Sequence, residues 1–186
     1  VGSALLAKSK GLSVFVSESN MIEKKYKELL LNNDIQFEEN GHLEADKLNV
    51  DYVIKSPGIP DTAAIIKKFV LKQTQIISEI EFASKFTDAT IIGVTGSNGK
   101  TTTATIIYEI LKSENIDVDI AGNIGVSFAS KVAASNTKNY VLELSSFQLD
   151  GIIDLNPHIA IMTNLSPDHL DRYNNCLLYT SDAADE

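Results

Sequence analysis

The chain carries the sequence Gly-Val-Thr-Gly-Ser-Asn-Gly-Lys-Thr-Thr at residues 93–102, after an apolar run that favours a strand and before a segment that favours a helix. Glycines let such a loop turn tightly, so that its backbone N–H groups and the N-terminus of the next helix can face phosphate oxygens. In this interpretation Lys100 meets the β- and γ-phosphates of a nucleotide, and the hydroxyl of Thr101 is a ligand of Mg²⁺.

The spacing of this loop departs from the usual P-loop by one residue. Five residues, rather than four, separate Gly93 from Gly99, whereas Gly96-x-x-Gly99-Lys100-Thr101 is intact. The alternative is a connecting loop rich in small residues with an incidental lysine. Because strand, loop and helix follow in the required order, the sequence predicts a phosphate site here.

Predicted strands and helices alternate along the whole chain, which is typical of an α/β protein with a mostly parallel sheet covered by helices. Apolar runs predict strands at 12–17, 35–37, 50–54 and 75–77 in the first half, and at 90–95, 118–121, 140–144 and 159–163 in the second. The spacing of apolar residues predicts helices at 4–10, 21–32 and 62–71, and two more that start near Lys100 and Val126.

Each predicted strand of the second half ends in a small or polar motif. These motifs read GSNGKT, GNIG, ELSSFQ and TNLSPDHLD. Ligands of open parallel sheets bind outside the carboxyl ends of the strands, so the four motifs predict one crevice. In the first half, residues 17–19 and 56–60 occupy the same edge of their own sheet. The simplest interpretation is two successive α/β units with a boundary near residues 78 and 79.

Both ends of the sequence depart from a complete fold of this kind. The helix predicted at 4–10 follows the first residues directly, so we expect the strand that should precede it to be missing. Residues 176–186 (CLLYTSDAADE) show no periodicity, and we expect them to be a non-native tail. The prediction is therefore a chain truncated at both ends.

Three polar residues at strand ends are candidates for the crevice, each with an alternative. Glu143 is either a carboxylate ligand of a metal or a strand-end acid that faces solvent. Asn123 is either a turn residue or a contact to the ligand. His169 is either a ligand or a structural histidine, and Asp168 and Asp171 beside it are assigned to a helix cap.

The composition excludes several functional classes. A net charge of −9, from 25 acidic and 16 basic residues, leaves no broad basic surface for nucleic acid or an anionic membrane. No apolar run approaches the roughly 18 residues of a membrane-spanning helix, and one cysteine cannot form an internal disulfide.

No histidine–acid pair is placed to activate Ser145 or Ser146, and His42 and His158 have no partner that the sequence identifies. We expect a soluble, intracellular protein without serine hydrolase chemistry.

The motifs GVTGSNGKTTT, AGNIG, ELSSFQLD and TNLSPDHLDRY, in this order and with SPGIP upstream, resemble those of the Mur ligases. SPGIP together with ELSSFQL resembles the D-glutamate-adding branch of that family. The resemblance covers nearly all of residues 1–175. It implies a Rossmann-like domain at 1–78 that holds the UDP of a sugar substrate, a central ATP-binding domain at 79–175, and a further C-terminal domain.

The resemblance also implies a reaction. In the family, ATP phosphorylates the terminal carboxylate of the acceptor, here UDP-N-acetylmuramoyl-L-alanine, and the amine of D-glutamate attacks the acyl phosphate. The implied cofactors are ATP and Mg²⁺, and the implied setting is cytoplasmic peptidoglycan synthesis by a monomer without nucleic-acid or membrane partners. Another Mur-type ligase, a binding fragment without catalysis and an unrelated P-loop ATPase are the alternatives, and we expect the truncated chain itself not to turn over.

The resemblance finally implies roles for single residues. Lys100 and His169 are the implied catalytic residues, Thr101 and Glu143 hold one Mg²⁺, His169 holds a second, and Asn123 contacts the substrate or its water shell. The residues implied to bind ATP phosphates are Gly96, Ser97, Asn98, Gly99, Lys100, Thr101 and Thr102. Those implied to lie near the uridine diphosphate are Ser17, Glu18, Ser19, Ser56, Pro57 and Gly58. The modified lysine of the family would lie beyond residue 175.

Overall fold

The computed structural model describes residues 1–166 and confirms the predicted α/β class. The first half contains α1 (Gly2–Ser9), β1 (Phe15–Ser17), α2 (Lys24–Asn32), β2 (Gln36–Glu38), a 3₁₀ helix (Ala45–Lys47), β3 (Tyr52–Ile54), α3 (Ala64–Leu71) and β4 (Gln75–Ile77). The second half contains α4 (Glu79–Ser84), β5 (Thr90–Thr95), α5 (Lys100–Ser113), β6 (Val118–Gly122), α6 (Phe128–Ala134), β7 (Asn139–Glu143), α7 (Ser146–Leu149) and β8 (Ile159–Met162). None of the helices in this part of the chain has the length and hydropathy needed to cross a membrane.

Four parallel strands form the main sheet in the order β6-β7-β5-β8. Its two central strands, β5 and β7, are almost continuously apolar because helices cover both faces of the sheet. Helix α5 packs Ala104 against Val94 and Val141 on one face. Helices α1, α4 and α6 cover the other face, where Phe128 and Tyr140 meet edge to face at 5.0 Å between ring centroids.

The first half forms two separate parallel pairs rather than the single sheet that the sequence predicted. Strand β1 pairs with β2, and β3 pairs with β4. Each pair is three residues long and is closed by its own crossover helix, α2 or α3. Among residues 1–166, no ladder of hydrogen bonds joins one pair to the other. The residues at 17–19 and 56–60 therefore lie at the carboxyl ends of two different small sheets.

Helix α1 contributes to the cores of both halves. Ala4 is buried with Leu30 and Ile35 of the first half. Leu6 and Ala7 are buried in the larger core beneath α4 and α6. The expected boundary at residues 78 and 79 falls where Ser78 caps α4, and the packing of α1 continues across it. A division into domains 1–78 and 79–175 stays a prediction.

Candidate active site

The predicted phosphate loop, residues 96–102, connects β5 to the first turn of α5, and its two glycines have φ angles that other residues rarely adopt. Gly96 has a φ of 128° and Gly99, which precedes α5, has a φ of 84°. A Cβ atom at Gly96 would lie 2.2 Å from Thr163 Oγ1 and 2.9 Å from the carbonyl oxygen of Asn164. Glycine at position 96 is therefore required both by the turn and by the close approach of the residues after β8.

Lys100 lies at the point where this loop becomes α5. Its ammonium group donates to the carbonyl oxygens of Gly96 at 2.7 Å and Ser97 at 3.0 Å, so the charge lies against the loop. The helix begins at Lys100, and the N–H groups of a first helical turn lack partners within the helix. These N–H groups and the positive end of the helix dipole favour an anion at this position.

Glu143, at the end of β7, joins two of the predicted motifs. Its side chain is buried, with 2% exposure, so the alternative of an acid that faces solvent is wrong. Its Oε2 accepts a hydrogen bond from the Thr101 hydroxyl at 2.7 Å, and its Oε1 accepts one from the Asn123 amide at 2.8 Å. The phosphate loop, the end of β6 and the end of β7 thus meet at one carboxylate.

Asn123 is held against this carboxylate by the backbone as well. Its N–H donates to the carbonyl oxygen of Glu143 at 2.8 Å. The preceding Gly122 has a φ of 104°, and a Cβ atom there would lie 2.3 Å from the same oxygen. Asn123 is therefore a turn residue whose side chain also orients Glu143, and its contact with a substrate stays a prediction.

The donor set at Glu143 fits a magnesium ion. A carboxylate and a hydroxyl are hard oxygen ligands of the kind that Mg²⁺ prefers together with phosphate oxygens and water. A carboxylate can accept about four hydrogen bonds or ligand contacts, so the bonds from Thr101 and Asn123 leave capacity for a metal. Within residues 1–166, no group of three or more His, Cys, Asp or Glu side chains is placed so that it could hold a metal ion. The predicted ligand His169 lies outside the described residues, as do Asp168 and Asp171.

A short segment after β8, Thr163 to Ser166, lies against the phosphate loop, and we call it the strap. The Asn98 N–H donates to Asn164 Oδ1 at 3.0 Å, and the Ser97 N–H donates to the Asn164 carbonyl oxygen at 3.0 Å. Two N–H groups that the sequence predicted to face phosphate are thus bonded to protein. Sequence reasoning noticed the TNLS motif at this strand end but gave its residues no role.

Glu81 of α4 holds the turn that leads into β8. Its Oε2 accepts the N–H groups of residues 153–155 at 3.0–3.1 Å, and the Lys85 ammonium lies 2.7 Å from its Oε1. Lys85 also lies 3.0 Å from Asp154. Burial alone would raise the pKa of the Glu81 carboxyl, but Lys85 and the three N–H groups together hold that pKa below its ordinary value.

The predicted uridine residues form two local networks. At the end of β1, the Ser17 hydroxyl donates to Glu38 Oε1 at 2.8 Å and lies 2.5 Å from Nδ1 of His42, so His42 has a partner that the sequence did not identify. Ser19 donates to the half-buried Glu18 at 3.1 Å. Ser56, Pro57 and Gly58 form a turn closed by the N–H of Ile59 on the carbonyl oxygen of Ser56 at 3.0 Å. Contact of either network with a nucleotide stays a prediction.

The two remaining residue groups have structural roles. Ser145 caps α7, where both its N–H and its hydroxyl bond to Gln148 Oε1 at 3.0 and 3.1 Å. The Nδ1 atom of His158 accepts the N–H of Ile91 at 3.1 Å, so this histidine supports the start of β5. The two contacts thus support the helix that follows β7 and the start of β5.

A parallel sheet with a glycine-rich loop, a lysine at the start of the next helix and a buried carboxylate on the loop hydroxyl defines a P-loop nucleotide-binding protein. The Mur ligase middle domain family matches residues 94–182, and the MurD N-terminal domain family matches residues 3–65. The chain belongs to the Mur ligase family.

Two curated relatives show which members of that family the chain resembles. A UDP-N-acetylmuramoylalanine–D-glutamate ligase from Bacteroides thetaiotaomicron is 51% identical over 98% of this chain and 41% of its own length. A ligase of the same name from Porphyromonas gingivalis is 53% identical over 94% of this chain and 39% of its own length. The chain therefore spans about two fifths of the length of these relatives.

Solved structures of other Mur ligases share the fold. UDP-N-acetylmuramate-alanine ligase MurC from Thermotoga maritima superposes with a TM-score of 0.58 at 25% identity, over 97% of this chain and 42% of that protein. The UDP-N-acetylmuramate:L-alanyl-gamma-D-glutamyl-meso-diaminopimelate ligase from Neisseria meningitides gives a TM-score of 0.63 at 19% identity, over 98% of this chain and 62% of that protein. The second likeness concerns the fold alone.

Proposed function

We propose that the complete protein is an ATP-dependent ligase that adds D-glutamate to UDP-N-acetylmuramoyl-L-alanine in peptidoglycan precursor synthesis. The observation that carries the proposal is the buried Glu143 carboxyl between Thr101 of the phosphate loop and Asn123. The choice of D-glutamate rests on the names of the relatives that are 51% and 53% identical. ATP is made inside the cell, so we place the reaction in the cytoplasm. We also propose that the protein acts as a monomer without nucleic-acid or membrane partners.

The proposed reaction has two steps. A carboxylate oxygen of the acceptor's alanine attacks the γ-phosphorus of ATP, the bond to the β-phosphate oxygen breaks, and ADP leaves. The nitrogen of D-glutamate then attacks the resulting acyl phosphate, inorganic phosphate leaves, and the amine loses a proton. Both steps require positioned charge more than a protein nucleophile.

The residues at the phosphate loop suit this chemistry. The Lys100 ammonium and the N–H groups of the first turn of α5 would hold the phosphate chain and its developing charge. Thr101 and Glu143 would hold Mg²⁺, which neutralises negative charge on the phosphate oxygens when bound. His169, outside the described residues, is proposed for a second ion.

The acceptor's nucleotide is proposed to bind the first half of the chain. Ser17 is the last residue of β1 and is followed by Glu18 and Ser19. Ser56, Pro57 and Gly58 come after β3, so both groups lie at carboxyl ends of parallel strands, where nucleotides commonly bind. We propose that residues 1–78 form this UDP-sugar domain and residues 79–175 the ATP domain.

The proposal is tested by measuring phosphate release from ATP with the protein expressed from its complete gene. We expect release only when UDP-N-acetylmuramoyl-L-alanine and D-glutamate are both present. Strong preference for another amino acid would assign the protein to a different Mur-type reaction. Hydrolysis that needs no acceptor would indicate an unrelated P-loop ATPase, and binding of UDP without turnover would indicate a binding module.

A further inference from the structure

Asn164 bonds to both polar backbone groups of one phosphate-loop residue. Its side-chain Oδ1 accepts the N–H of Asn98 at 3.0 Å, and its Nδ2 donates to the carbonyl oxygen of Asn98 at 2.8 Å. Its own carbonyl oxygen accepts the N–H of Ser97 at 3.0 Å. The side-chain amide thus pairs with Asn98 as a neighbouring strand would, and it fixes the orientation of both peptide planes beside that residue.

Further contacts of the strap hold Asn164 in place. The Thr163 hydroxyl donates to the carbonyl oxygen of Asn98 at 2.7 Å. The Ser166 N–H donates to the Ser97 hydroxyl, which in turn donates to the Ser166 carbonyl oxygen, both at 2.9 Å. The strap also continues directly from β8, whose Met162 is in register with Thr95 at the end of β5. The strap is therefore bonded to the loop on both sides of Asn164.

These bonds divide the loop's N–H groups into two sets. Those of Ser97 and Asn98 are bonded to Asn164, whereas those of Lys100, Thr101 and Thr102 lie in the first turn of α5, where a helix supplies no partner. A loop whose first half is fixed presents its second half in one conformation. Such preorganisation lowers the cost of ordering the loop around a phosphate.

We propose that Asn164 is a positioning residue that fixes the Asn98 backbone, so that the N–H groups of Lys100, Thr101 and Thr102 face the nucleotide phosphates. The proposal rests on the proposed ATP-dependent function. In it, the Ser97 and Asn98 N–H groups remain bonded to Asn164 when nucleotide binds. In this proposal Ser97 and Asn98 hold the loop in shape, and the predicted phosphate contacts come from the residues after them.

The first test is Asn164→Ala in the protein expressed from its complete gene. Asn164 is exposed, so its truncation removes no core packing. We expect the KM for ATP to rise about tenfold, because two hydrogen bonds that order the loop are lost, while the KM for the UDP-sugar acceptor stays within about twofold. Asn139→Ala is the matched control, since Asn139 Nδ2 makes a similar 2.8 Å bond to the Asp117 carbonyl oxygen at the opposite edge of the sheet. Its KM for ATP should not change.

The outcomes separate this inference from the proposed function. If wild-type protein releases no phosphate with both substrates, the proposed function fails. If wild-type protein is active and Asn164→Ala leaves the KM for ATP unchanged, the positioning role is wrong.

Amide hydrogen exchange in the wild-type protein provides a readout that does not depend on how the variant folds. The Asn98 amide should be protected without nucleotide and stay protected with Mg-ATP. Rapid exchange of this amide, or loss of its protection when Mg-ATP is added, would overturn the proposal.

Discussion

Replacing Glu143 by Gln changes the charge at the centre of the candidate site and little of its shape. The Glu143 carboxyl accepts two hydrogen bonds, from Thr101 at 2.7 Å and from Asn123 at 2.8 Å. A glutamine can keep its oxygen on the Asn123 amide and donate its nitrogen to Thr101 after the hydroxyl rotates. Both contacts survive in neutral form, so the free energy of unfolding should stay within about 2 kcal/mol of wild type.

The effect of Glu143→Gln on catalysis should be larger than its effect on folding. A neutral amide is a poor replacement for a carboxylate ligand of Mg²⁺, and the charge is removed beside the predicted phosphate site. We expect kcat/KM for ATP to fall at least about a hundredfold, which corresponds to roughly 2.7 kcal/mol of transition-state stabilisation. Raising the Mg²⁺ concentration should restore part of the activity.

The assay is phosphate release by the protein expressed from its complete gene, with thermal unfolding measured in parallel. Glu109→Gln is the matched control, because it removes one negative charge from the exposed surface of α5. A Glu143→Gln protein that is folded and within about threefold of wild-type activity would show that this carboxyl is not a metal ligand.

Three further predictions concern the loop and its support. Lys100→Ala in the complete protein should lower turnover at least about a hundredfold, and near-normal phosphate release would contradict the phosphate role of the ammonium group. Gly96→Ala should destabilise the loop by about 1–3 kcal/mol and weaken Mg-ATP binding in calorimetry, because its Cβ would lie 2.2 Å from Thr163 Oγ1. The lowered pKa of Glu81 means that its carboxylate stabilises the fold fully above the unfolded pKa of about 4.3 and loses this contribution as pH falls through the folded pKa. The difference in Tm between wild type and Glu81→Gln should therefore be large at pH 7 and shrink below about pH 4, and a difference independent of pH would contradict the ion-pair role.

Local signals in the sequence were sufficient to predict the strands of the main sheet. The predicted strand at 90–95 coincides with β5, and the one at 118–121 differs from β6 by one residue, because apolar runs flanked by polar or small residues mark buried parallel strands. The short helices α4 and α7 were not predicted. Helix α4 carries the buried Glu81, and the three backbone N–H groups that bond to it lie more than 70 residues further along the chain, so the local sequence did not indicate that an acid belongs in that core.

The sequence indicated candidate residues for the site, whose roles stay predictions, but it did not indicate all of the contacts between them. Lys100, Thr101 and Glu143 could be selected because their types and positions at strand ends suit phosphate and metal chemistry. The strap could not be inferred, because the bonds of Asn164 depend on how β8 pairs with β5. The order of the predicted strands also did not show that the first half forms two small sheets, because strand pairing is decided by contacts between distant segments.

The strand order explains why Thr101 and Glu143 meet. From β5 the chain passes through α5, which covers one face of the sheet. After β7 it runs through residues 149–155, which pack on the opposite face, and reaches β8 beyond β5. The chain thus leaves these two adjacent strands towards opposite faces, and such a switch point opens a crevice at their carboxyl ends.

The register of β7 then decides which side chain enters that crevice. Side chains alternate along a strand, so Val141 and Glu143 point towards α5, while Leu142 and Leu144 point into the core beneath α1, α4 and α6. A slip of one residue would place Leu144 beside Thr101 and bury Glu143 among apolar side chains. The alternation that stabilises the sheet therefore also selects the one orientation in which the Glu143 carboxyl reaches the first turn of α5.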